Sequence, residues 1–372
     1  MKRKCKNKDI TNVDYIESCI YDWLSHKTGK KRWKPSVTEI QERYGDIHGL
    51  ALKLREEILN RKLELKPIRI VNIIDRSNGK PRELAVESPK RQICNYIASN
   101  ALKELDSRCG YYQVNMRAHG SPIVASAFVK GWMNDKNCKY VAHLDVKKCY
   151  PSIKRTNMIA WLKRHVKNDN LIWLINELLS ATDCLSIGSF LSIRLCGLYM
   201  SDAYHYISQN FKYYRKGKSI KIIKHFIVYL DDIFLFSANA RKLNNAVKQI
   251  IQYFETIGLT IKEKWKLIYL KGEDAHIDIL GYKIYADHVT MRRRDYVKFR
   301  KAVREFKNNQ RSIKKAMTLV AYCGLFLKHT DSVKFDKKYN VSKYYKLARK
   351  VVSDHGKSIF LRETGNCFDS PF

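Results

Sequence analysis

Three aspartates at the edges of apolar segments are the residues most able to do chemistry. Asp231 and Asp232 are adjacent within the apolar segment 226–236, and Asp145 follows a second apolar segment at 140–144. Adjacent aspartates are disfavoured within strands and costly to desolvate, so we predict a hairpin whose tip carries both acids. Carboxylate oxygens suit two Mg²⁺ ions about 4 Å apart, the arrangement of two-metal phosphoryl transfer. A solvated β-turn is the other interpretation of an Asp-Asp pair.

The elements that must position these acids are strands interleaved with helices, which predicts an α+β or α/β layout. Residues 12–66 have helical spacing, and alternation predicts a hairpin of strands at 68–75 and 82–86 around the turn 77–80. Further strands are predicted at 140–146, 225–236, 260–269 and 277–285. Further helices are predicted at 90–105, 122–132, 157–166, 170–181, 191–211 and 240–257.

Charge points to a polyanionic partner. The chain has 372 residues, with 71 Lys and Arg against 36 Asp and Glu, for a net charge of +35. An excess of this size is typical of a protein that contacts phosphate backbones, although a generic RNA-binding protein would also show it. The ten cysteines form no C-x-x-C pair, so we expect reduced thiols and no zinc site. A signal peptide and an 18-residue apolar run are absent from the sequence, which predicts a cytoplasmic protein with no membrane partner.

The order of motifs over about residues 65–330 resembles the reverse transcriptase family of RNA-directed DNA polymerases. Asp145-Val-Lys-Lys-Cys-Tyr150 is similar to the first acidic motif, Ser186-Ile-Gly-Ser-Phe-Leu-Ser192 to the glycine motif, and Tyr229-Leu-Asp-Asp232 to the acidic hairpin. This resemblance implies an α+β right-hand polymerase fold, with fingers, a palm of antiparallel sheet plus helices, and a helical thumb. The implied divisions are a basic helical extension at 1–66, fingers at 67–139, palm with finger insertions at 140–290, and thumb and tail at 291–372.

The resemblance also implies roles for individual residues. Two Mg²⁺ ions, which Mn²⁺ can replace, would be held by Asp145, the Val146 backbone, Asp231 and Asp232. Lys264 would protonate the departing pyrophosphate, with Lys262 and Lys266 as nearby rivals. The implied nucleotide-binding residues are Lys80, Arg82, Tyr150, Gly188 and Tyr229, with Tyr150 as a steric gate against the 2′-hydroxyl. The implied template and primer contacts are Arg91, Arg117, Ser192, Gly281 and Tyr282.

Departures from the family motifs bear on the biological role. Ile187 and Ile193 stand where many members have Gln and Pro, and an Ile-Gly pair resembles the diversity-generating and defence-associated branches. We therefore expect RNA-templated DNA synthesis in bacterial antiphage defence, with a dedicated noncoding RNA. The expected partners are that RNA, the DNA product, dNTPs, a second polymerase or accessory protein, and further copies of the chain. The alternatives are a diversity-generating or retron enzyme, although Val289-Thr-Met291 departs from the Val-Thr-Gly motif of retron enzymes, and a noncatalytic RNA-binding scaffold.

Overall fold

A computed structural model describes residues 2–25, 42–74, 79–116, 122–327 and 329–365, without the side chains of 122–123 and 356–365. The α-helices are α1 Val13–Ser25, α2 Ile47–Leu59, α3 Pro89–Ala101, α4 Pro122–Met133, α5 Cys149–Ser152, α6 Arg155–His165, α7 Asp169–Ser180, α8 Phe190–Asn210, α9 Ala240–Thr256, α10 Arg293–Asn308, α11 Ile313–Tyr322, α12 Val333–Tyr339 and α13 Val341–Gly365. The strands are β1 Arg69–Ile74, β2 Pro81–Val86, β3 Tyr140–Asp145, β4 Lys212–Arg215, β5 Lys218–Lys221, β6 His225–Tyr229, β7 Asp232–Ser237, β8 Lys266–Tyr269, β9 Ile277–Ile279, β10 Tyr282–Ile284 and β11 Val289–Met291.

The chain forms two compact units. Unit 1 comprises Met1–Gly120 and Tyr140–Ile268, and unit 2 comprises Ser121–Lys139 and Tyr269–Phe372. Helices and antiparallel sheets occur together, so the predicted α+β composition is confirmed. The right-hand arrangement and its four sequence divisions stay predictions.

The core of unit 1 is a four-stranded sheet in the order β6-β7-β3-β8. Strand β7 is antiparallel to both β6 and β3 and is buried from Ile233 to Ser237. A near-continuous apolar strand of this kind needs cover on both faces. Helix α9 contributes a buried stripe at Leu243, Val247, Ile250 and Phe254, which recurs at helical spacing. Strand β7, which begins at Asp232, is therefore fixed within the core.

The other helices of unit 1 pack chiefly against one another. Helix α8 runs for 21 residues, and α3 is buried over most of its surface because it packs against α1, α7 and α8. Side-chain caps define several helix starts: Ser88 accepts from the Arg91 amide, and Asn168 accepts from the Leu171 amide. The predicted helices at 90–105 and 170–181 match α3, with the 3₁₀ turn Leu102–Arg108, and α7.

Several parts of the fold differ from the sequence-based expectation. Only 266–269 of the predicted strand 260–269 is a strand, the helical segment predicted at 12–66 is not helical over 60–66, and β11 and the short α5 had no predicted element. The expected strand at 277–285 is divided into β9 and β10, because Leu280 and Gly281 both have positive φ values (53° and 93°) and make a tight turn. The segment 212–221, for which no element was predicted, forms the β4–β5 hairpin. Its many lysines hide the alternation that would have indicated a strand.

Unit 2 combines the small sheet β11-β10-β9 with helices α4 and α10–α13. Its centre is aromatic: Phe299 lies near Phe335 and Phe326, and Tyr282 packs edge-on against Phe326. Across the described parts of the chain, every helix is too short or too polar to cross a membrane.

Candidate active site

The acidic pair occupies the turn between β6 and β7. Tyr229 and Asp232 pair across the two strands, and Leu230 and Asp231 form the connection. Leu230 has a φ of 52°, a conformation that a side chain other than glycine adopts at an energetic cost. The turn is held by the Leu230 amide, which donates to Asn115 Oδ1 at 3.5 Å, and by the Asp231 carbonyl, which accepts from the Val146 amide at 3.0 Å. The strain is therefore maintained by contacts from neighbouring segments.

The third carboxylate faces this turn across the sheet. Asp145 ends β3 and lies directly opposite Asp232 in the β3–β7 register. Directly paired residues in antiparallel strands have Cβ atoms about 5 Å apart, and like charges in such a pair repel. The predicted convergence of Asp145, Asp231 and Asp232 is thus present in the structure.

Burial and repulsion affect the ionisation of Asp231. Its pKa is raised from the ordinary 3.8 to about 6, first because its carboxyl is largely removed from water, and then because Asp232 and Asp145 are negative. Lys262 acts in the opposite direction and lowers this pKa. Three carboxylates that repel one another in a partly dry site form an environment that favours a bound divalent cation.

Two basic side chains contact the outer carboxylates. Lys262 Nζ lies 2.6 Å from Asp145 Oδ1, and the Lys262 amide donates to the Asp145 carbonyl at 2.9 Å. His143 Nε2 lies 2.9 Å from Asp232 Oδ1, while its ring stacks on Phe234 with centroids 4.1 Å apart. A cation at these carboxylates would have to share them with, or displace, both basic groups. The predicted proton donor Lys264 and its two rivals are all exposed, and Lys262 is the one placed against an acid.

Two tyrosines lie close to Asp231. Tyr150, on α5, is half-buried, and its pKa is raised first by burial and also by the neighbouring Cys196, Cys149 and Asp231. Tyr229, at the end of β6, has its pKa raised by burial and then by Asp231 and Asp232. The structure therefore brings both predicted nucleotide-binding tyrosines to the acidic cluster.

The glycine motif packs against the β1–β2 hairpin. Gly188 has a φ of 106°, and a Cβ atom there would lie 2.7 Å from the Ala85 carbonyl oxygen and 2.7 Å from Leu84 Cδ1. The Ala85 amide donates to the Ile187 carbonyl at 2.8 Å, so β2 and the motif are joined. Ser192 is buried, and its hydroxyl accepts from the Ser186 amide at 3.1 Å. Gly188 and Ser192 therefore both stabilise the local structure. Their predicted contacts with nucleotide and template stay predictions.

The basic residues near this hairpin differ in how far they are buried. Lys80 and Arg82 are exposed on and beside β2. Arg91 is buried on α3, where Nη1 donates to the Leu178 carbonyl at 3.1 Å and burial lowers the guanidinium pKa. Lys90 forms a buried ion pair with Glu57 at 2.6 Å. Lys80 and Arg82 are accessible to a triphosphate, whereas the Lys90–Arg91 pair is committed to packing.

The remaining predicted residues are Gly281, Tyr282 and Arg117. Gly281 and Tyr282 belong to unit 2, where the buried Tyr282 hydroxyl donates to the Leu325 carbonyl at 2.7 Å. Arg117 lies outside the described residues. Their template and primer roles stay predictions.

Sequence reasoning missed His143 and Asn115, which hold Asp232 and the Leu230 turn. The spacing of His143, two residues before Asp145 on the same strand face, could have indicated a neighbour of the acids. Asn115 is far from the turn in sequence and gave no local signal.

Comparison with known proteins yields one family and two curated relatives. Residues 73–284, more than half of the chain, match the family described as reverse transcriptase (RNA-dependent DNA polymerase). The chain is 27% identical over 179 residues to the putative COX1/OXI3 intron 1 protein of Saccharomyces cerevisiae, covering 45% of this chain and 21% of that protein. It is 24% identical over 179 residues to the putative COX1/OXI3 intron 2 protein of the same yeast, covering 43% and 20%. The chain thus spans about a fifth of the length of these relatives.

Proposed function

The chain belongs to the reverse transcriptase family, and from this premise we propose that it synthesises DNA on an RNA template by two-metal nucleotidyl transfer. The observation that carries the proposal is the convergence of Asp145, Asp231 and Asp232 at a strained turn, within the segment that matches the family. A solvated Asp-Asp turn without a metal-binding role would not be expected to face a third carboxylate, because the like charges repel.

The donor set fits hard divalent cations. All three acids offer carboxylate oxygens. The pKa of Asp231 is raised first by burial and then by the negative charge of Asp232 and Asp145, and a cation would offset that charge. Asp145, Asp231 and Asp232, with the Val146 carbonyl, would hold the ions. Two Mg²⁺ ions bound there would activate a primer 3′-hydroxyl and neutralise charge on the departing pyrophosphate. Mn²⁺ has similar ligand preferences and is proposed as a substitute.

The chain's other residues would bind and orient the substrates. Lys80 and Arg82 are exposed cations that can contact the triphosphate, and Arg can do so with two parallel hydrogen bonds. We propose that Tyr150 excludes a ribose 2′-hydroxyl, which favours deoxynucleotides; the support is that Asp231 is close enough to contribute to its raised pKa. Lys264 is proposed as the proton donor to pyrophosphate. Lys262 would first keep Asp145 paired and then be released by a bound cation.

For the biological role we propose antiphage defence with a dedicated noncoding RNA as template. The support is the Ile187-Gly188 motif, which resembles the defence-associated branch, together with a net charge of +35 that suits a stably bound RNA. Sequencing the RNA that copurifies with the chain tests this: one abundant RNA is expected, whereas a mixture that follows cellular abundance would contradict it.

A primer-extension assay tests the proposed activity. An RNA template with an annealed DNA primer, Mg²⁺ and dNTPs would be given to the native chain, to Asp231→Ala and to Asp354→Ala, an exposed acid on α13. We expect extension by the native chain and by Asp354→Ala, and a loss of at least a hundredfold in Asp231→Ala, because metal binding loses a ligand. Equal incorporation by all three proteins would refute the proposal. RNA binding without extension by any of them would favour the noncatalytic scaffold.

A further inference from the structure

The β4–β5 hairpin of unit 1 is a cationic surface without carboxylates. Between Asp202 and Asp231 the sequence has no acidic residue, while it has Lys or Arg at 212, 215, 216, 218, 221 and 224. The register places Lys212 opposite Lys221 and Arg215 opposite Lys218. Like charges in such direct pairs destabilise a hairpin, and none of the described carboxylates forms an ion pair with these cations. An anionic ligand would remove this repulsion.

The hairpin is nevertheless well formed. Lys216 and Gly217 both have positive φ values (49° and 71°), which is the geometry of a two-residue type I′ turn. Its base is fastened to the core by the Ile222 amide, which donates to the Phe211 carbonyl, and by the Ser237 hydroxyl, which donates to the Ile222 carbonyl. The charges are therefore presented on a defined scaffold.

The two faces of the hairpin differ. Tyr213 and Ile220 share the inner face and are half-buried, and Lys242 Nζ of α9 lies 3.2 Å from the Tyr213 ring centroid. The outer face carries Tyr214 and Ser219 as one pair and Lys212 and Lys221 as the next pair on the same side. Tyr214 is 79% exposed. The outer face thus combines an accessible aromatic ring with two ammonium groups in the adjacent cross-strand pair.

We propose that this outer face binds single-stranded nucleic acid, with a base stacked on Tyr214 and the adjoining phosphates on Lys212 and Lys221. Stacking on an exposed ring flanked by cations is the usual chemistry of single-strand binding. A duplex keeps its bases paired and stacked, so it could use the lysines but not the ring. A membrane would need apolar area, and Tyr214 is the only large apolar side chain on this face.

The surface is separate from the acidic cluster. The hairpin joins β6 at the His225 end, whereas the acids lie beyond Tyr229 at the other end of that strand. The five residues of β6 span about 13 Å, so the base of the hairpin and the acidic turn lie at opposite ends of this strand. The identification of the strand as template RNA outside the polymerase site rests on the proposed function, but the binding itself does not.

Fluorescence anisotropy with the full chain tests the surface. The probe is a labelled, unstructured RNA of about 20 nucleotides, longer than one stacking site. We expect Tyr214→Ala to weaken binding about tenfold, while Tyr21→Ala, an exposed tyrosine on α1, leaves it unchanged. The double variant Lys212→Gln, Lys221→Gln should reduce the slope of the log association constant against the log salt concentration by about 1.4. The control variant Lys163→Gln, Lys167→Gln, at two exposed lysines in and just after α6, should leave that slope unchanged.

Cross-linking identifies the residues that contact the RNA, so binding elsewhere on the chain does not obscure the result. RNA containing 5-iodouracil should cross-link to Tyr214 on irradiation, and unlabelled single-stranded RNA should compete better than duplex RNA or anionic vesicles. No cross-link within 212–221, together with unchanged affinity in Tyr214→Ala, would overturn the proposal, as would better competition by duplex or vesicles. Equal competition by single-stranded DNA would keep the surface but remove its restriction to template RNA.

Binding at the outer face of the hairpin can be tested separately from the polymerase activity. Asp231→Ala should retain the cross-link to Tyr214 although it cannot extend a primer. Tyr214→Ala should extend a primer at the native rate when template is saturating.

Discussion

Asp231 should make the metal-free protein less stable than it could be, and Asp231→Asn should therefore stabilise it. Burial and the repulsion of Asp232 and Asp145 raise the Asp231 pKa from 3.8 to about 6. A shift of about two pKa units corresponds to about 3 kcal/mol of disfavoured ionisation at neutral pH. Since the carboxyl is partly exposed, solvent screening reduces this, and we expect a gain of about 1–2 kcal/mol in the free energy of unfolding.

The pH dependence of stability gives a second test of whether Asp231 destabilises the folded chain. A carboxyl whose folded pKa is raised binds its proton in the folded state before the unfolded chain does. The native chain is therefore penalised above pH 6, and the penalty disappears as the pH falls from about 6 to about 4. The stability difference between Asp231→Asn and the native chain should shrink over that interval and should not reverse.

Thermal unfolding in the presence of a chelator measures this difference. Most of the chain's tryptophans lie in unit 1, so intrinsic fluorescence reports the unit that contains Asp231. We expect the Tm of Asp231→Asn to rise by about 2–6 °C at pH 8, and that of Asp354→Asn to stay the same. Adding Mg²⁺ should raise the native Tm more than that of Asp231→Asn, because binding stabilises the folded state. A lower or unchanged Tm for Asp231→Asn would refute the account of repulsion at the site.

Three further substitutions have defined outcomes. Tyr150→Ala should lower the preference for deoxynucleotides over ribonucleotides by at least tenfold in single-nucleotide incorporation, while Tyr150→Phe should retain it; an unchanged preference in Tyr150→Ala would remove this residue from the gate. Gly188→Ala should lower the free energy of unfolding by about 1–3 kcal/mol, because φ is 106° and the new Cβ would meet the Ala85 carbonyl. The control Gly131→Ala, on α4 with no atom within 4 Å of the new Cβ, should raise the free energy of unfolding by about 0.5–1 kcal/mol. Lys90→Met should lower the free energy of unfolding, measured with denaturant, by about 3–5 kcal/mol because it leaves Glu57 charged and buried. Adding Glu57→Gln should restore most of that stability. Equal losses of stability in the single and the double variant would contradict this.

Local patterns were sufficient to predict the main elements of the site. The apolar segments around Asp145 and around Asp231-Asp232 have strand-like residues, and an acidic pair between two such segments has few solutions other than a hairpin tip. Both strands and the turn lie where the pattern predicts them. The glycine at 188 also has the positive φ that its residue type permits.

Contacts between distant segments could not be predicted in this way. The pairing of Asp145 with Lys262 depends on how the chain after α9 returns to β3, and the packing of Gly188 on Ala85 depends on a hairpin about a hundred residues earlier. Burial was the other unknown. Lys90 and Arg91 appear in the sequence as an exposed basic pair, but Glu57 and the Leu178 carbonyl hold them inside unit 1.

Incorporation opposite a varied template base tests most directly whether this site copies RNA into DNA. Four RNA templates that differ only at the first unpaired base would be annealed to one DNA primer and given each dNTP separately with Mg²⁺. We predict that each template directs addition of its complementary nucleotide by the native chain, with little addition by Asp231→Ala. The same nucleotide added on all four templates, or addition to the primer alone, would contradict RNA-templated synthesis.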